Sequence, residues 1–211
     1  ELSSDDIAYF APALRDLKKK IRVDGLIKGT VDHLESKNLV IEAGNSTYLN
    51  GNIRMTGLPD INRTYIDFAA NNFRTTYADA VAIIPELKKI SMPRIDLLQY
   101  LRFKGNFTGF INDFVTYGTL ETNLGTVVSD VNMKFPRKGN ASYAGTIQTS
   151  DFALGRFIET SEIGNISFKG KVSGNGFRGE NLTAQLDGIV SKLTAYGYDY
   201  QNITVKGTIA K

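Results

Sequence analysis

Apolar and polar residues alternate with a period of two along the second half of the chain. Val127, Ser129, Val131, Met133 and Phe135 fall on one side of a predicted strand, and Thr126, Val128, Asp130, Asn132 and Lys134 on the other. The same spacing sets Ile166, Phe168 and Val172 against Lys169 and Lys171, Leu182 and Leu186 against Thr183 and Gln185, and Ile203, Val205 and Ile209 against Thr204 and Thr208. Such alternation marks strands with one apolar and one solvated face, the habit of antiparallel sheets. Gly44-Asn45, Asn50-Gly51, Lys138-Gly139-Asn140 and Gly174-Asn175-Gly176 punctuate these runs as predicted turns. Helical spacing is confined to two short stretches. One runs from Asp5 to about Leu17, capped by Ser4, and the other from Tyr77 to Leu87, with Pro12 and Pro85 limiting them. A further turn is expected between Ile95 and Tyr100. The expected fold is therefore all-β and mainly antiparallel: an elongated, curved sheet or groove with two short helical interruptions.

The chain also repeats itself. Asp6, Pro12 and Leu14 recur with the same internal spacing as Asp79, Pro85 and Leu87. Each block leads into a Gly-punctuated strand, first Ile21-Arg22-Val23-Asp24-Gly25 with Gly29, then Leu101-Arg102-Phe103-Lys104-Gly105 with Gly109. A fainter third copy is Ile166-Ser167-Phe168-Lys169-Gly170 with Gly174. Linked blocks in one order indicate stacked units that share an apolar surface. We divide the chain at residue 100. Residues 1–100 are a first helix-plus-strands repeat with a helical linker, and residues 101–211 are a second, strand-rich repeat continuing the same sheet.

Composition narrows the chemistry. Apolar residues make up 42% of the 211, enough for a substantial core, and a net charge of +3 with 22% charged residues argues against disorder. Without cysteine the chain has no disulfide, iron–sulfur cluster or thiol catalysis. The sole histidine, His33, has no companions at metal-ligand spacing, and no Gly-x-Ser-x-Gly elbow accompanies it, so neither a metal, a cofactor nor a catalytic residue is expected. Gly174-Asn175-Gly176-Phe177-Arg178-Gly179 matches a dinucleotide fingerprint, but the residues after Gly179 alternate as a strand rather than opening a helix, so a hairpin is expected there. Lys18-Lys19-Lys20 is the only cationic triplet, and no nucleic-acid partner is expected. The Asn-x-Ser/Thr triplets from Asn45 to Asn202 read as turn and strand residues. The chain begins at Glu1 and is read as part of something longer, with no bilayer-spanning apolar run in it.

Several stretches resemble TamB-like proteins of the Bacteroidetes type, in the AsmA-like superfamily. They are Asp6 to Leu14, Gly25 to Val31 with Leu34 and Leu39, and Asp79 to Leu87. Phe103 to Gly109 with Asp113-Phe114, Tyr143 to Ile147, Phe152 to Gly155, and Gly197 to Ile203 with Gly207 continue the likeness. The resemblance implies a periplasmic chain anchored to the inner membrane outside this stretch. It also implies contact with an outer-membrane assembly protein of the Omp85 type through other regions, and a groove of curved sheet lined with apolar side chains. The implied role is non-enzymatic: phospholipid transport, or assembly of outer-membrane proteins. Phospholipid acyl chains and neighbouring repeats of the longer chain are the implied partners.

The candidate groove lining is Val127, Val131, Met133, Phe135, Ile166, Phe168, Val172, Leu182, Leu186, Ile203, Val205 and Ile209. The same alternation would also suit a face sealed against a second sheet or the helices. An alternative role is a glycan- or protein-binding β module of a bacterial surface protein, with Tyr196, Tyr198 and Tyr200 expected in a row on one face.

Overall fold

In a computed structural model, residues 21–177 and 182–210 are described. They form one open sheet of eleven strands in chain order, each antiparallel to the next. The strands are β1 (Arg22–Gly29), β2 (His33–Ala43), β3 (Thr47–Thr56), β4 (Tyr65–Thr75), β5 (Leu101–Phe110) and β6 (Asp113–Thr122). They continue as β7 (Gly125–Lys134), β8 (Ser142–Ser150), β9 (Ile163–Asn175), β10 (Thr183–Ala195) and β11 (Tyr198–Ala210). The expected all-β antiparallel groove is what the chain builds. Residues 76–100 leave the sheet between β4 and β5, yet these two strands pair directly, so the sheet runs unbroken past residue 100.

The three copies of the Gly-punctuated block fall on β1, β5 and β9, four strands apart. The structural unit is thus four strands. Between units lie the helical segments: α1 (Tyr77–Ile83) with 3₁₀ turns at Pro85–Lys89 and Ile95–Leu97 after β4, and α2 (Leu154–Phe157) after β8. The helix expected over Tyr77 to Leu87 ends at Ile83 because Pro85 cannot continue it and instead opens a 3₁₀ turn. The helix expected near Asp5 lies outside the described residues. The second interruption within them, α2, falls where the sequence pattern predicts no helix.

Both helical segments sit at the same margin of the sheet. There Asp79, buried at the start of α1, accepts hydrogen bonds from the backbone N–H groups of Asn45 (3.0 Å) and Ser46 (2.6 Å), clasping the β2–β3 turn. The Thr76 hydroxyl caps α1 by accepting from the Asp79 N–H. Farther along, the Arg94 N–H donates to the Phe157 carbonyl at 2.8 Å. Its guanidinium bonds Asp96 and Glu159, tying one helical segment to the next. Leu124, Phe152 and Ala153 form a small buried cluster there, packed against Leu97, Leu98 and Phe157.

Two expectations fail locally. Asn50-Gly51 is not a hairpin but the middle of β3. A Cβ on Gly51 would come within 2.2 Å of the Ala69 carbonyl oxygen and 2.9 Å of the Phe68 ring, so glycine is required by close packing rather than by a turn. The expected row of three tyrosines is also broken. Tyr196 and Gly197, at φ 50° and 79°, make the tight β10–β11 turn. Tyr196 there donates to Glu162.

Candidate functional site: an apolar trough

Cross-strand register assigns every strand residue to a face. One row runs Phe103, Leu120, Val127 and Thr149 over β5 to β8. It continues as Phe168, Val190 and Ile203 over β9 to β11. The next runs Phe107, Thr116, Val131, Gly145, Val172, Leu186 and Gly207. In the first unit the same face carries Leu39, Ile41, Leu49, Ile53, Met55, Ile66 and Phe68. Among the described residues, no strand pairing places an Asp, Glu, Lys or Arg on it. The opposite face carries the charges, as in the row Asp130, Thr146, Lys171, Asp187 and Lys206.

Ten of the twelve candidate lining residues fall on this face by strand pairing. Val127, Val131, Met133, Ile166, Phe168, Val172, Leu186, Ile203, Val205 and Ile209 lie within strands on the apolar face. Leu182 and Phe135 lie just outside β10 and β7, and Phe135 stacks on Phe114, 6.3 Å between ring centres. Phe168 and Val131 are buried, and Ile209, on the edge strand, is half exposed.

What shelters this face is the sheet itself. Each strand packs on its hydrogen-bonded neighbours, and all the described strands belong to one sheet, so no second sheet exists among them. A flat single layer would expose both faces alike. Here the apolar side alternates as buried or half-buried and the polar side as exposed along β5 to β10, so the sheet curls toward its apolar side. Burial pushes the phenol of Tyr143, on that side, above its usual range.

Glycine lets neighbouring strands approach closely along this face. Gly105 and Gly118 face each other across β5 and β6 at φ 151° and 155°. A Cβ on Gly105 would lie 2.1 Å from the Tyr117 carbonyl oxygen, and one on Gly118 would lie 2.3 Å from that of Lys104. Only glycine permits both the dihedral and the approach. On β9 and β10, Gly170 and Gly188 face each other beneath the Phe168 ring, which fills the space their side chains leave.

Eleven strands at about 4.8 Å spacing make a trough of roughly 48 Å. A ten-residue strand such as β5 is about 33 Å long. One rim is blocked by the Leu124–Phe152 cluster. The other carries aromatic pairs, Phe107–Phe114 at 4.7 Å and Tyr143–Phe177 at 5.2 Å between ring centres.

The described residues hold no group of His, Cys, Asp and Glu able to bind a metal, and no helix among them is long and apolar enough to cross a membrane. Compared with family models, curated proteins and solved structures, the chain matches none.

Proposed function

We propose that the trough carries lipid acyl chains, and that the protein is a non-enzymatic, TamB-like segment of a periplasm-spanning chain. In this reading it serves phospholipid transport or the assembly of outer-membrane proteins. The observation that carries the reading is an apolar face, free of charged side chains among the described residues, that crosses the eleven strands of a single sheet, with no second sheet among the described elements. A soluble protein leaves so large an apolar surface open only where something occupies it. An acyl chain of about 15 methylenes costs on the order of 12 kcal/mol to expose to water, at roughly 0.8 kcal/mol each. A continuous apolar lining offsets that cost at every position along the trough without specific polar contacts, as suits cargo that must slide. Anchorage in the inner membrane and contact with an Omp85-type protein belong, in this proposal, to regions beyond this stretch.

The test is a lipid extract of the purified protein read by mass spectrometry, with uptake of a fluorescent fatty acid measured alongside. Co-purified phospholipid and saturable uptake are expected. Neither lipid nor uptake would overturn the proposal.

A further inference from the structure

Arg74 and Arg102 face each other directly across β4 and β5 on the polar side of the sheet, in the row Tyr48, Arg74, Arg102 and Glu121. Like charges placed in this way cost stability. Neither arginine makes an ion pair among the described residues. Each lies instead over a tyrosine. The guanidinium carbon of Arg74 is 5.1 Å from the ring centre of Tyr48, and that of Arg102 is 5.6 Å from the ring centre of Tyr100. The Tyr100 ring is itself held, because its hydroxyl donates to the Thr122 carbonyl at 3.1 Å. A guanidinium stacked by its face keeps the N–H groups along its edge free for a ligand.

Lys104, two residues beyond Arg102 on the same side of β5, is exposed and likewise makes no ion pair among the described residues. Opposite it β4 bulges. Ala70 pairs with Gly105 and Phe73 with Phe103, so Asn71 and Asn72 together stand against Lys104 alone. Both asparagines are exposed. A bulge takes its extra residue out of the ladder and re-aims side chains. The carboxylates nearby do not balance the cations. Glu42, beside Tyr48, lies toward Arg22 at 3.9 Å, and Asp67, farther along β4, lies toward Arg54 at 3.7 Å. Glu121, across from Arg102 on β6, is left as one carboxylate against the three cations Arg74, Arg102 and Lys104.

The excess charge calls for an anion, and the two guanidinium forks select its shape. A carboxylate has two oxygens and fills one fork. A phosphomonoester presents three around a tetrahedral centre, enough to serve both forks and the ammonium. The arginines are one strand spacing apart, about 4.8 Å, which gives room for a single phosphate rather than a run of them. We propose that Arg74, Arg102 and Lys104 clamp a phosphomonoester on the outer face, at the β4 bulge. The bound phosphate neutralises the opposed arginines, and the exposed amides of Asn71 and Asn72 border it. This site is on the opposite side of the sheet from the trough and does not depend on its cargo.

The experiment is calorimetric titration of the folded protein with glycerol 3-phosphate, with succinate, a dicarboxylate of similar charge, as the control. Co-sedimentation with phosphatidylcholine vesicles, with and without phosphatidic acid, runs alongside. Saturable binding of the phosphate in preference to succinate is expected. It should weaken about tenfold or more in Arg74→Lys with Arg102→Lys, which keeps the charge and removes the forks. Both arginines are exposed, so this variant should retain the parent's circular dichroism and its fatty-acid uptake. Capture by phosphatidic acid vesicles, lost in the same variant, identifies a lipid headgroup as a source of the phosphate; titration without capture identifies a soluble one. No binding in either arm, equal binding of succinate, or affinity unchanged in the double lysine variant would each overturn the proposal.

Discussion

Replacing Gly105 with alanine tests whether the close approach of β5 and β6 depends on glycine. The added Cβ would stand 2.1 Å from the Tyr117 carbonyl oxygen and 2.6 Å from the Gly118 Cα, both backbone atoms. Ordinary C···O contacts begin near 3.3 Å, so β5 or β6 must move by about 1 Å. The φ of 151° adds a conformational cost of about 1–3 kcal/mol for a residue with a side chain. Disturbing one or two ladder hydrogen bonds adds about 1 kcal/mol each. The sum is about 2–5 kcal/mol, a large share of a domain's stability. Gly207 is the internal control. It lies on the same face, on β11, with nothing within 4 Å of an added methyl and no left-handed φ. Gly207→Ala should be neutral or stabilising by up to about 1 kcal/mol, through the unfolded chain. Urea unfolding of both variants, with the slope compared to confirm two-state behaviour, reads the difference. Equal stability of the two variants would refute the claim that Gly105 shapes the sheet.

Asp79→Ala leaves the N–H groups of Asn45 and Ser46 without their acceptor and should cost about 2–3 kcal/mol in urea unfolding; a loss below about 0.5 kcal/mol would show that water replaces the carboxylate freely. Phe168→Ala uncovers Gly170 and Gly188 and should cost about 3 kcal/mol, the low end for a buried phenylalanine, because an open trough leaves no sealed cavity. The hydrogen bond from Arg94 holds the Asp96 carboxyl below its ordinary value of 3.8. A lowered folded pKa contributes stability that is complete above the unfolded value and fades as pH falls through the folded one. The protection factor of the Arg94 amide should therefore fall as the pH drops through and below 3.8, and the drop should shrink in Asp96→Asn; an unchanged drop would place its origin elsewhere.

Much of the second and third units was legible because β7, β9, β10 and β11 alternate cleanly up to the register shifts at Val190/Lys192 and Leu193/Ala195, which is why the candidate lining residues all came from there. The first unit carries as much apolar lining but hides it behind bulges. The register slips between Ser36 and Leu39, where Asn38 adopts φ 52°, and again between Ala70 and Phe73. Each slip inverts the parity of the rest of its strand, so Leu34 and Leu39 share a face although counting by twos separates them. Local chemistry misled at Asn50-Gly51, where the hairpin signal is real but the glycine answers to Ala69 and Phe68 across the strand pair. At Tyr196-Gly197 the alternation of tyrosines masked a true turn. The repeat was the strongest guide, since β1, β5 and β9 begin equivalent units. α2 gave no signal because it is a single turn without a side-chain cap.

Adjacent residues Leu186 and Asp187 stand on opposite faces of β10, the first in the trough and the second outside it. A photo-crosslinking side chain placed at each in turn, irradiated with phospholipid vesicles and read by mass spectrometry, asks directly whether the trough takes lipid. Adducts to acyl chains from position 186, and none from 187, are what an open, lipid-carrying trough predicts. Equal yields from both positions, or no adduct at 186 in a folded protein, would contradict it.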